Sequence, residues 1–469
     1  MATYAQELAD FVCKLQLKDV PEEIRRLARL STLDSIGVIL AGHQTESARI
    51  AVNLVRSYGG APDSTIFGYE DRVPAPAAAF ANGVAAHSTE LDDHIAHTRS
   101  MNHPGVVTFP AAFALAEKVG ASGEQLLVSA VAGYEINSRI NGAVPPGFFN
   151  FQRSFHGTAI CGPFGAAATA SPLFGLNPDQ LANAFGICGS IAAGSFEFHS
   201  TGAWTKRFHA GWASQGGITA AELALRGFTG PFTILEGNHG FFMSYAGEGN
   251  YDLEALTRNL GKEFEFRFIM YKPFACAGVM HSPLTAALQL RRDYNIQPDQ
   301  IETVTVKTSE TLIRRFAAPR DRKVRPQTSV DGQFSLPYSM AVLLYFGRAF
   351  LEEYSEVTMR NPDVLDLSAR VHCLSDPDID RRWPQEEPSE VTVRLKDGSE
   401  YTAAVDFAKG SLADPMTEDE LIGKFKSLAG MVLRKTATER IVDMVADLEN
   451  LPDVRELIAV IRNGLANKR

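Results

Sequence analysis

Stretches rich in alanine and glycine run through the first half of the chain, and they restrict its fold more than any other feature. They cover residues 77–86, 110–119, 123–136, 162–170, 178–191 and 212–225. Small side chains let helices approach closely, and few β-branched runs interrupt these stretches. No strand pattern of comparable strength occurs before about residue 264. The first half is therefore predicted to be a compact helical bundle.

The pattern changes in the second half. Residues 301–307 alternate as a half-buried strand, and residues 391–402 predict a hairpin that turns at Asp397-Gly398. Helical spacing lies between them at 282–294 and 337–346, and it returns after Thr417 and Glu420, which form a capping box, to about residue 465. We predict a mainly α protein. Its large all-helical domain is built from both chain ends, residues 1–266 and 405–469, and its smaller inserted α+β lid domain is residues 267–404.

Composition narrows the class of partner. The chain has 469 residues, of which 45% are hydrophobic, and a formal net charge of -10. That charge leaves no basic stripe for nucleic acid, and no Lys/Arg cluster marks a membrane surface. The amino terminus carries acids where a targeting peptide would be basic, and no apolar run is long enough to span a membrane. We expect a cytoplasmic protein that binds a small molecule, and neither nucleic acid nor a membrane.

The cysteines and short motifs exclude several common chemistries. The five cysteines are scattered, without the close pairs of a structural zinc site or the even number of a disulfide framework: Cys13, Cys161, Cys188, Cys276 and Cys373. Cys276 is interpreted as a packing thiol. The chain contains no Gly-x-Gly-x-x-Gly turn, no P-loop and no Gly-x-Ser-x-Gly elbow. A nucleotide-dependent enzyme and a serine hydrolase therefore have no support.

Residues 90–104 concentrate groups that can carry protons. The stretch contains Glu90, Asp92, Asp93, His94, His97, Arg99 and His103. Carboxylates and imidazoles can be tuned to exchange protons near neutral pH, so the stretch is typical of acid/base catalysis. Metal ligation is a weaker alternative, because the glutamate that marks a zincin helix is missing between the histidines. A polar helix end that satisfies its own backbone is as good an explanation as catalysis at this point.

Further candidates are scattered along the chain. His156 precedes a small-residue helix, whose N-terminus could attract an anion, although a capping or packing role is the alternative. Lys206 and His209 share a helical face and suggest carboxylate recognition, or else a solvated surface. Lys272 lies in an apolar, proline-containing turn, where a buried lysine needs a partner. Tyr338 could contribute a phenol to a cleft that also contains Lys272, or it could merely pack.

Taken together, these segments resemble the MmgE/PrpD family, which includes 2-methylcitrate dehydratase, cis-aconitate decarboxylase and iminodisuccinate epimerase. The resemblance lies in the order and spacing of Glu90-Leu-Asp-Asp93, His103-Pro104, His156, Thr205-Lys206, Lys272-Pro273, Gln333-Phe-Ser-Leu-Pro-Tyr338 and Asp414-Pro-Met-Thr-Glu-Asp-Glu-Leu421. It covers nearly the whole chain. It implies a homodimer that works without metal or organic cofactor.

The resemblance also implies roles for individual residues. It implies a cleft between the two domains that is lined by Asp93, His103, His156, Lys206 and Lys272. His103 would be the principal acid/base, oriented by Asp93, with His156 as its helper or as a carboxylate ligand. The two lysines would bind substrate carboxylates and stabilise developing charge. The expected substrate contacts are Glu90, His94, His97, Arg99, His209 and Tyr338.

Two departures from the family pattern bear on the reaction. His94 stands where many members have a hydroxyl residue, and the loop that reaches His103 differs from the shorter one of the decarboxylases, with His97 and Arg99 inside it. These departures favour dehydration of a hydroxylated di- or tricarboxylate, in which His94 or His103 protonates the departing hydroxyl. Epimerisation or isomerisation of a dicarboxylate and decarboxylation of the cis-aconitate type are the alternatives. A metal-dependent hydrolase and an inactive scaffold are further classes.

Overall fold

The computed structural model describes residues 2–96, 98–383 and 385–466 and divides into two compact units. The first, called the helical unit here, comprises Met1–Ser88, Asp92–Ile269 and Thr417–Arg469. The second, called the mixed unit, comprises Thr89–Leu91 and Met270–Met416. Helices predominate and the sheets are small, which confirms the mainly α class. Within the described ranges, no helix is both long and apolar enough to cross a membrane.

The helical unit begins with twelve α-helices within the described part of the chain. They are α1 Tyr4–Lys14, α2 Glu22–Gly42, α3 Glu46–Ser57, α4 Ala75–Ala86, α5 Gly105–Val119, α6 Gly123–Gly142, α7 Phe148–Phe151, α8 Gly157–Phe174, α9 Pro178–Ile191, α10 Phe198–Thr201, α11 Thr205–Leu225 and α12 Phe241–Tyr245. Short strands accompany them, namely β1 Ser64–Thr65 paired with β2 Arg72–Val73, β3 His94–Ile95, and β4 Ile269–Met270 at the end of the unit. The predicted small-residue helices all form.

Close helix approach explains why these helices need small residues. A Cβ atom added to Gly83 of α4 would lie 2.8 Å from the Cα of Gly211 in α11. A Cβ atom on Gly217 of α11 would lie 2.4 Å from the Cβ of Ala166 in α8. Both distances are shorter than van der Waals contact, so larger residues would force the helices apart. The core around α4, α8 and α11 is therefore rigidly packed.

The mixed unit contains the larger sheet. Its helices are α13 His281–Asp293, α14 Glu310–Leu312, α15 Arg320–Val324, α16 Ser329–Gln333, α17 Leu336–Phe346, α18 Glu356–Met359, α19 Pro362–Ala369 and α20 Pro377–Arg382, and its strands are β5 Ile301–Thr308, β6 Val371–Ser375, β7 Ser389–Leu395 and β8 Glu400–Val405. The strand order is β6-β5-β7-β8, with β5 parallel to β6 and antiparallel to β7. The predicted hairpin is β7–β8, where Gly398 has φ 89°. Helix α13 packs against both of its strands.

The C-terminal helices belong to the helical unit. They are α21 Glu418–Ala429, α22 Lys435–Ala446 and α23 Val454–Asn463. Thr417 and Glu420 form the predicted capping box at the start of α21. In α21, Lys424 Nζ lies 2.8 Å from Asp34 Oδ1 of α2, and both side chains are buried. Polar as well as apolar contacts therefore hold the C-terminal segment to α2.

The division between the units differs slightly from the sequence-based domain limits. Residues 405–416 group with the mixed unit, whereas the sequence predicted that the α+β domain ends at residue 404. Hydrogen bonds explain the difference, because the Tyr271 N–H donates to the Gly410 carbonyl over 3.2 Å and the Gly410 N–H donates to the Asp414 carbonyl over 2.8 Å. Such main-chain bonds leave no periodic signal in a sequence.

Candidate functional site

The acid/base stretch begins where α4 ends. His87 occupies the C-cap position of α4 and is completely buried, and the chain then runs through residues 88–104 to α5. In the helical unit, the Asp92 carboxylate lies between two imidazoles. Its Oδ2 atom is 2.7 Å from Nδ1 of His103 and 3.2 Å from Nδ1 of His87. The stretch thus folds back on the helix end that precedes it.

Polar contacts orient His103 on both the ring and the main chain. Besides Asp92, its Nδ1 atom faces the main-chain carbonyl of Asp93 at 3.1 Å, and its N–H donates to Thr158 Oγ1 of α8 at 3.1 Å. Two acceptors around Nδ1 favour the tautomer that carries the proton there, which places the lone pair of the neutral ring on Nε2. The side chain is 18% exposed, whereas Asp92 is completely buried. His103 therefore has the arrangement of a general acid/base backed by a carboxylate.

The Asp93 carboxyl points elsewhere. Its Oδ2 atom accepts a 2.5 Å hydrogen bond from the Tyr134 hydroxyl of α6. Burial raises the pKa of this carboxyl to about 8, although the bond from Tyr134 opposes the shift. The carboxylate beside the His103 ring is thus that of Asp92, whereas Asp93 meets this ring through its main-chain carbonyl, and a role of Asp93 in orienting His103 stays a prediction. The two acids leave the loop in different directions.

A second pair of imidazoles lies beside Lys206. His156 is the N-cap residue of α8, and its Nδ1 is 3.2 Å from Nδ1 of His209 on α11. Burial lowers the pKa of both rings, His209 to about 4 and His156 well below its ordinary value, and the Lys206 ammonium lowers them further. Both rings are therefore neutral at neutral pH. Lys206 itself is buried in the first turn of α11.

Ring contacts join the two pairs. The His87 ring is 4.9 Å from that of His103 and 5.7 Å from that of His156, with which it is stacked at an interplanar angle of 7°. The His94 ring lies 5.7 Å from that of His103. We call this set the imidazole cluster, and its members are His87, His94, His103, His156 and His209. Four of the five were predicted as site residues from the sequence.

One predicted substrate contact in the loop, Arg99, falls outside the cluster. The Arg99 guanidinium pairs with Glu265 through bonds of 2.5 Å and 3.0 Å and lies over the Phe268 ring. Its hydrogen bonds to the Glu265 carboxylate raise the pKa of Arg99. This guanidinium is therefore engaged in a structural pair. His97 lies outside the described residues.

The remaining predicted residues lie in the mixed unit. Lys272 Nζ is 3.3 Å from Glu90 Oε2, and both side chains are buried, so this lysine has the acidic partner that its burial requires. Tyr338 is completely buried and its hydroxyl donates to the Glu353 carbonyl over 2.9 Å. That contact gives Tyr338 a packing role, the alternative that the sequence left open. Burial also raises the pKa of the Cys276 thiol to about 12, as a packing thiol requires.

Some residues of the imidazole cluster could also bind a metal ion. Across the described part of the chain, the one group of three with converging donor atoms is His87, Asp92 and His103, whose atoms lie within 4.8 Å of one another. The metal alternative predicted from the sequence used His94 and His97, with Asp92, Asp93 and His103 nearby. The Asp92 Oδ2 distances of 2.7 Å and 3.2 Å are those of a carboxylate paired with two imidazoles, an arrangement that does not require a metal ion.

Sequence reasoning missed His87 and gave Asp92 no separate role. The available signal was a histidine directly after an alanine-rich helix, five positions before the paired acids. His87 ends a buried helix and is itself buried. Its ring contacts Asp92 in the loop that follows.

Comparison with known proteins identifies one family along most of the chain. Residues 6–254 match the MmgE/PrpD N-terminal domain, and residues 274–450 match the MmgE/PrpD C-terminal domain. The cis-aconitate decarboxylase-like protein oryM of Aspergillus oryzae is 30% identical over 98% of this chain and 97% of its own length. The cis-aconitate decarboxylase of Homo sapiens is 26% identical over 98% and 95%, respectively. The 2-methylcitrate dehydratase of Salmonella typhimurium is 24% identical over 61% of each chain. The chain therefore belongs to the MmgE/PrpD family.

Proposed function

We propose that this protein is a lyase for a small di- or tricarboxylic acid and that His103 moves the proton in its reaction. The observation that carries the proposal is the 2.7 Å contact between His103 Nδ1 and the buried Asp92 carboxylate. A buried carboxylate holds a neighbouring imidazole in one tautomer and stabilises the imidazolium that forms when the ring accepts a proton. The matching relatives bear the names of decarboxylases and dehydratases, which are lyases.

The neighbouring groups suit a carboxylate substrate. Removing carbon dioxide from a carboxylic acid, or a proton from the carbon beside its carboxylate, leaves an electron pair that a cation stabilises. Lys206 supplies a buried positive charge beside His156 and His209. These two neutral rings can donate hydrogen bonds to a substrate carboxylate without a second positive charge. His103 would then give a proton to the carbon or take one from it.

Decarboxylation of an unsaturated tricarboxylate is the first candidate reaction. The cis-aconitate decarboxylases match over 97–98% of this chain, whereas the 2-methylcitrate dehydratases match over 61%. In this reaction a carbon–carbon bond breaks, carbon dioxide leaves, and the electron pair remains on the substrate. The protonated His103 ring would then transfer its proton to the carbon that carries this pair.

Dehydration is the second candidate, and His94 favours it. The His94 ring lies 5.7 Å from that of His103, so two imidazoles are available. One would remove a proton next to a carboxylate while the other protonates the departing hydroxyl. His94 and the longer loop support this reaction, and it is the one that the sequence favours. The longer match to the decarboxylases supports the first candidate more strongly.

The test is proton NMR in D₂O of chelator-treated protein with cis-aconitate, citrate, 2-methylcitrate, malate and amino or imino dicarboxylates. Decarboxylation yields a smaller acid with one new carbon–deuterium bond, dehydration yields olefinic signals, and epimerisation exchanges one proton. We expect His103→Asn to lower turnover about 10²–10⁴-fold. His239→Asn, at an exposed position of the helical unit, is the matched control and should retain activity. No reaction with any acid, or full activity of a folded His103→Asn variant, would refute the proposal.

Three further expectations stay predictions. The homodimer is tested by light scattering coupled to size-exclusion chromatography, and the cytoplasmic location by fractionation of the source cells. A role for Lys272 in substrate binding is tested by Lys272→Met, which should raise KM. Because Lys272 pairs with Glu90, the variant Glu90→Gln is needed to separate binding from the loss of that pair.

A further inference from the structure

We propose that His87 is a positioning residue that holds the Asp92 carboxylate in place for His103. The inference rests on the proposed function, because His103 is the group that Asp92 serves. Asp92 Oδ2 lies 3.2 Å from Nδ1 of His87 and 2.7 Å from Nδ1 of His103. A buried carboxylate requires hydrogen-bond donors, and two rings that meet the same oxygen restrict its position from two sides.

His87, Asp92 and His103 lie in different kinds of structural element. Asp92 and His103 lie in the stretch between α4 and α5, whereas His87 closes α4 and its N–H donates to the Gly83 carbonyl at 3.3 Å. Helix α4 packs closely against α11, since a Cβ atom added to Gly83 would lie only 2.8 Å from the Cα of Gly211. His87 therefore connects the Asp92–His103 pair, which lies in a loop, to a closely packed helix. Supporting residues set the geometry of a site in this way.

Exposure distinguishes the roles of His87 and His103. The His87 side chain is 0% exposed, and its ring lies between those of His103 and His156 at centroid distances of 4.9 Å and 5.7 Å. The His103 side chain is 18% exposed. A ring that exchanges a proton with a substrate must be accessible to it, so His103 is the catalytic residue. His87 acts through Asp92.

Two substitutions separate a positioning role from simple space filling. In His87→Asn, the amide nitrogen takes the place of Nδ1 and can still donate to Asp92. In His87→Leu, the side chain fills similar space but has no donor. We expect His87→Leu to lower kcat by about 10–100-fold with KM changed less than about threefold, as for a supporting residue. We expect His87→Asn to stay within about fivefold of the wild type. Equal losses in both variants, or full activity of His87→Leu, would overturn the proposal.

A second measurement needs no substrate. In protein labelled with ¹⁵N at histidine, the Nδ1–H of His103 that is bonded to Asp92 should give a proton resonance far downfield. His87→Asn should retain this resonance, and His87→Leu should shift it or broaden it by exchange. If the wild type converts no acid but the resonance responds in this way, the proposed function fails while the role of His87 stands. If the wild type is active and the resonance does not respond, the role of His87 fails alone. If His87→Leu does not fold, loss of the resonance in folded His87→Asn is sufficient to overturn the proposal.

Discussion

Removing either member of the Asp34–Lys424 ion pair should strongly destabilise the helical unit. Nζ of Lys424 lies 2.8 Å from Oδ1 of Asp34, and the side chains are 4% and 2% exposed. When one partner of such a pair is replaced, the other remains as an uncompensated buried charge, which costs about 3–5 kcal/mol. The variants Asp34→Leu and Lys424→Met should each lower the free energy of unfolding by that amount.

The double variant shows whether a buried unpaired charge causes the loss of stability in the single variants. With both partners apolar, no charge is left buried, and replacement of buried pairs by apolar residues is often neutral or stabilising. Asp34→Leu with Lys424→Met should therefore be far more stable than the sum of the two single losses implies, by at least about 3 kcal/mol. A matched control is Lys14→Met, which breaks the exposed Lys14–Asp10 pair and should change stability by no more than about 1 kcal/mol.

Urea unfolding followed by tryptophan fluorescence suits this test. Trp204 and Trp212 flank the start of α11 in the helical unit, and Trp383 is the third tryptophan of the chain. A Trp383→Phe background therefore restricts the signal to the helical unit, which matters because two units can unfold separately. Single variants within about 1 kcal/mol of the wild type would show that the pair is not buried as described. A double variant as unstable as the sum of the singles would show that lost packing, not charge, is responsible.

Three further predictions concern the site. Asp92→Asn should lower kcat/KM about 10²–10⁴-fold in steady-state assays, because the amide keeps the shape of the carboxylate but not its charge. Unchanged kinetics would exclude Asp92 from proton transfer. Gly105→Ala should lower the melting temperature, because its Cβ would lie 2.0 Å from Asp93 Oδ1 and 2.6 Å from the Tyr134 hydroxyl; a normal melting curve would contradict that contact. The pKa of His209 falls to about 4 on burial, so below its ordinary value of 6.5 the unfolded chain binds a proton that the folded chain does not. Stability contributed by the neutral ring is therefore present above pH 6.5 and should be lost between pH 6.5 and 4, by up to about 1.4 kcal/mol per pH unit. Denaturation curves across this range should be less dependent on pH in His209→Phe, and equal dependence in both proteins would refute the assignment.

Local sequence signals predicted the parts of the fold that depend on neighbouring residues. The helices of the first half form because small residues allow the contacts seen at Gly83 and Gly217, and α21 begins at its capping box. Strand β6 was not predicted, because Val371–Ser375 has one buried position and pairs in parallel with the distant β5. Parallel pairing depends on residues far apart in the chain, so a short strand of this kind carries little local signal.

The sequence predicted the chemistry of the site but not which carboxylate pairs with which histidine. Acids and histidines within residues 90–104 predicted proton transfer, and His94, His103, His156 and His209 do meet in one cluster. Asp92 and Asp93 are adjacent and chemically alike, so only the path of the loop decides which one faces a histidine. Asp93 turns toward Tyr134, while Asp92 turns toward the end of α4. No property of the two side chains themselves distinguishes these directions.

The cluster divides its imidazoles between two electrostatic environments, and this division suits a lyase. His103 lies beside a carboxylate, which stabilises the imidazolium that proton transfer creates. His156 and His209 lie beside Lys206, where burial and a nearby cation keep both rings neutral. A neutral ring next to an ammonium can bind an anion without competing for the proton, so we predict that anion binding and proton transfer fall to different histidines. His87 stacks against His156 and contacts Asp92. We therefore predict that His87, at the end of α4, sets the spacing between His103 and the neutral pair His156 and His209. A substrate that contacts both would then need its carboxylate and its reacting carbon at that spacing.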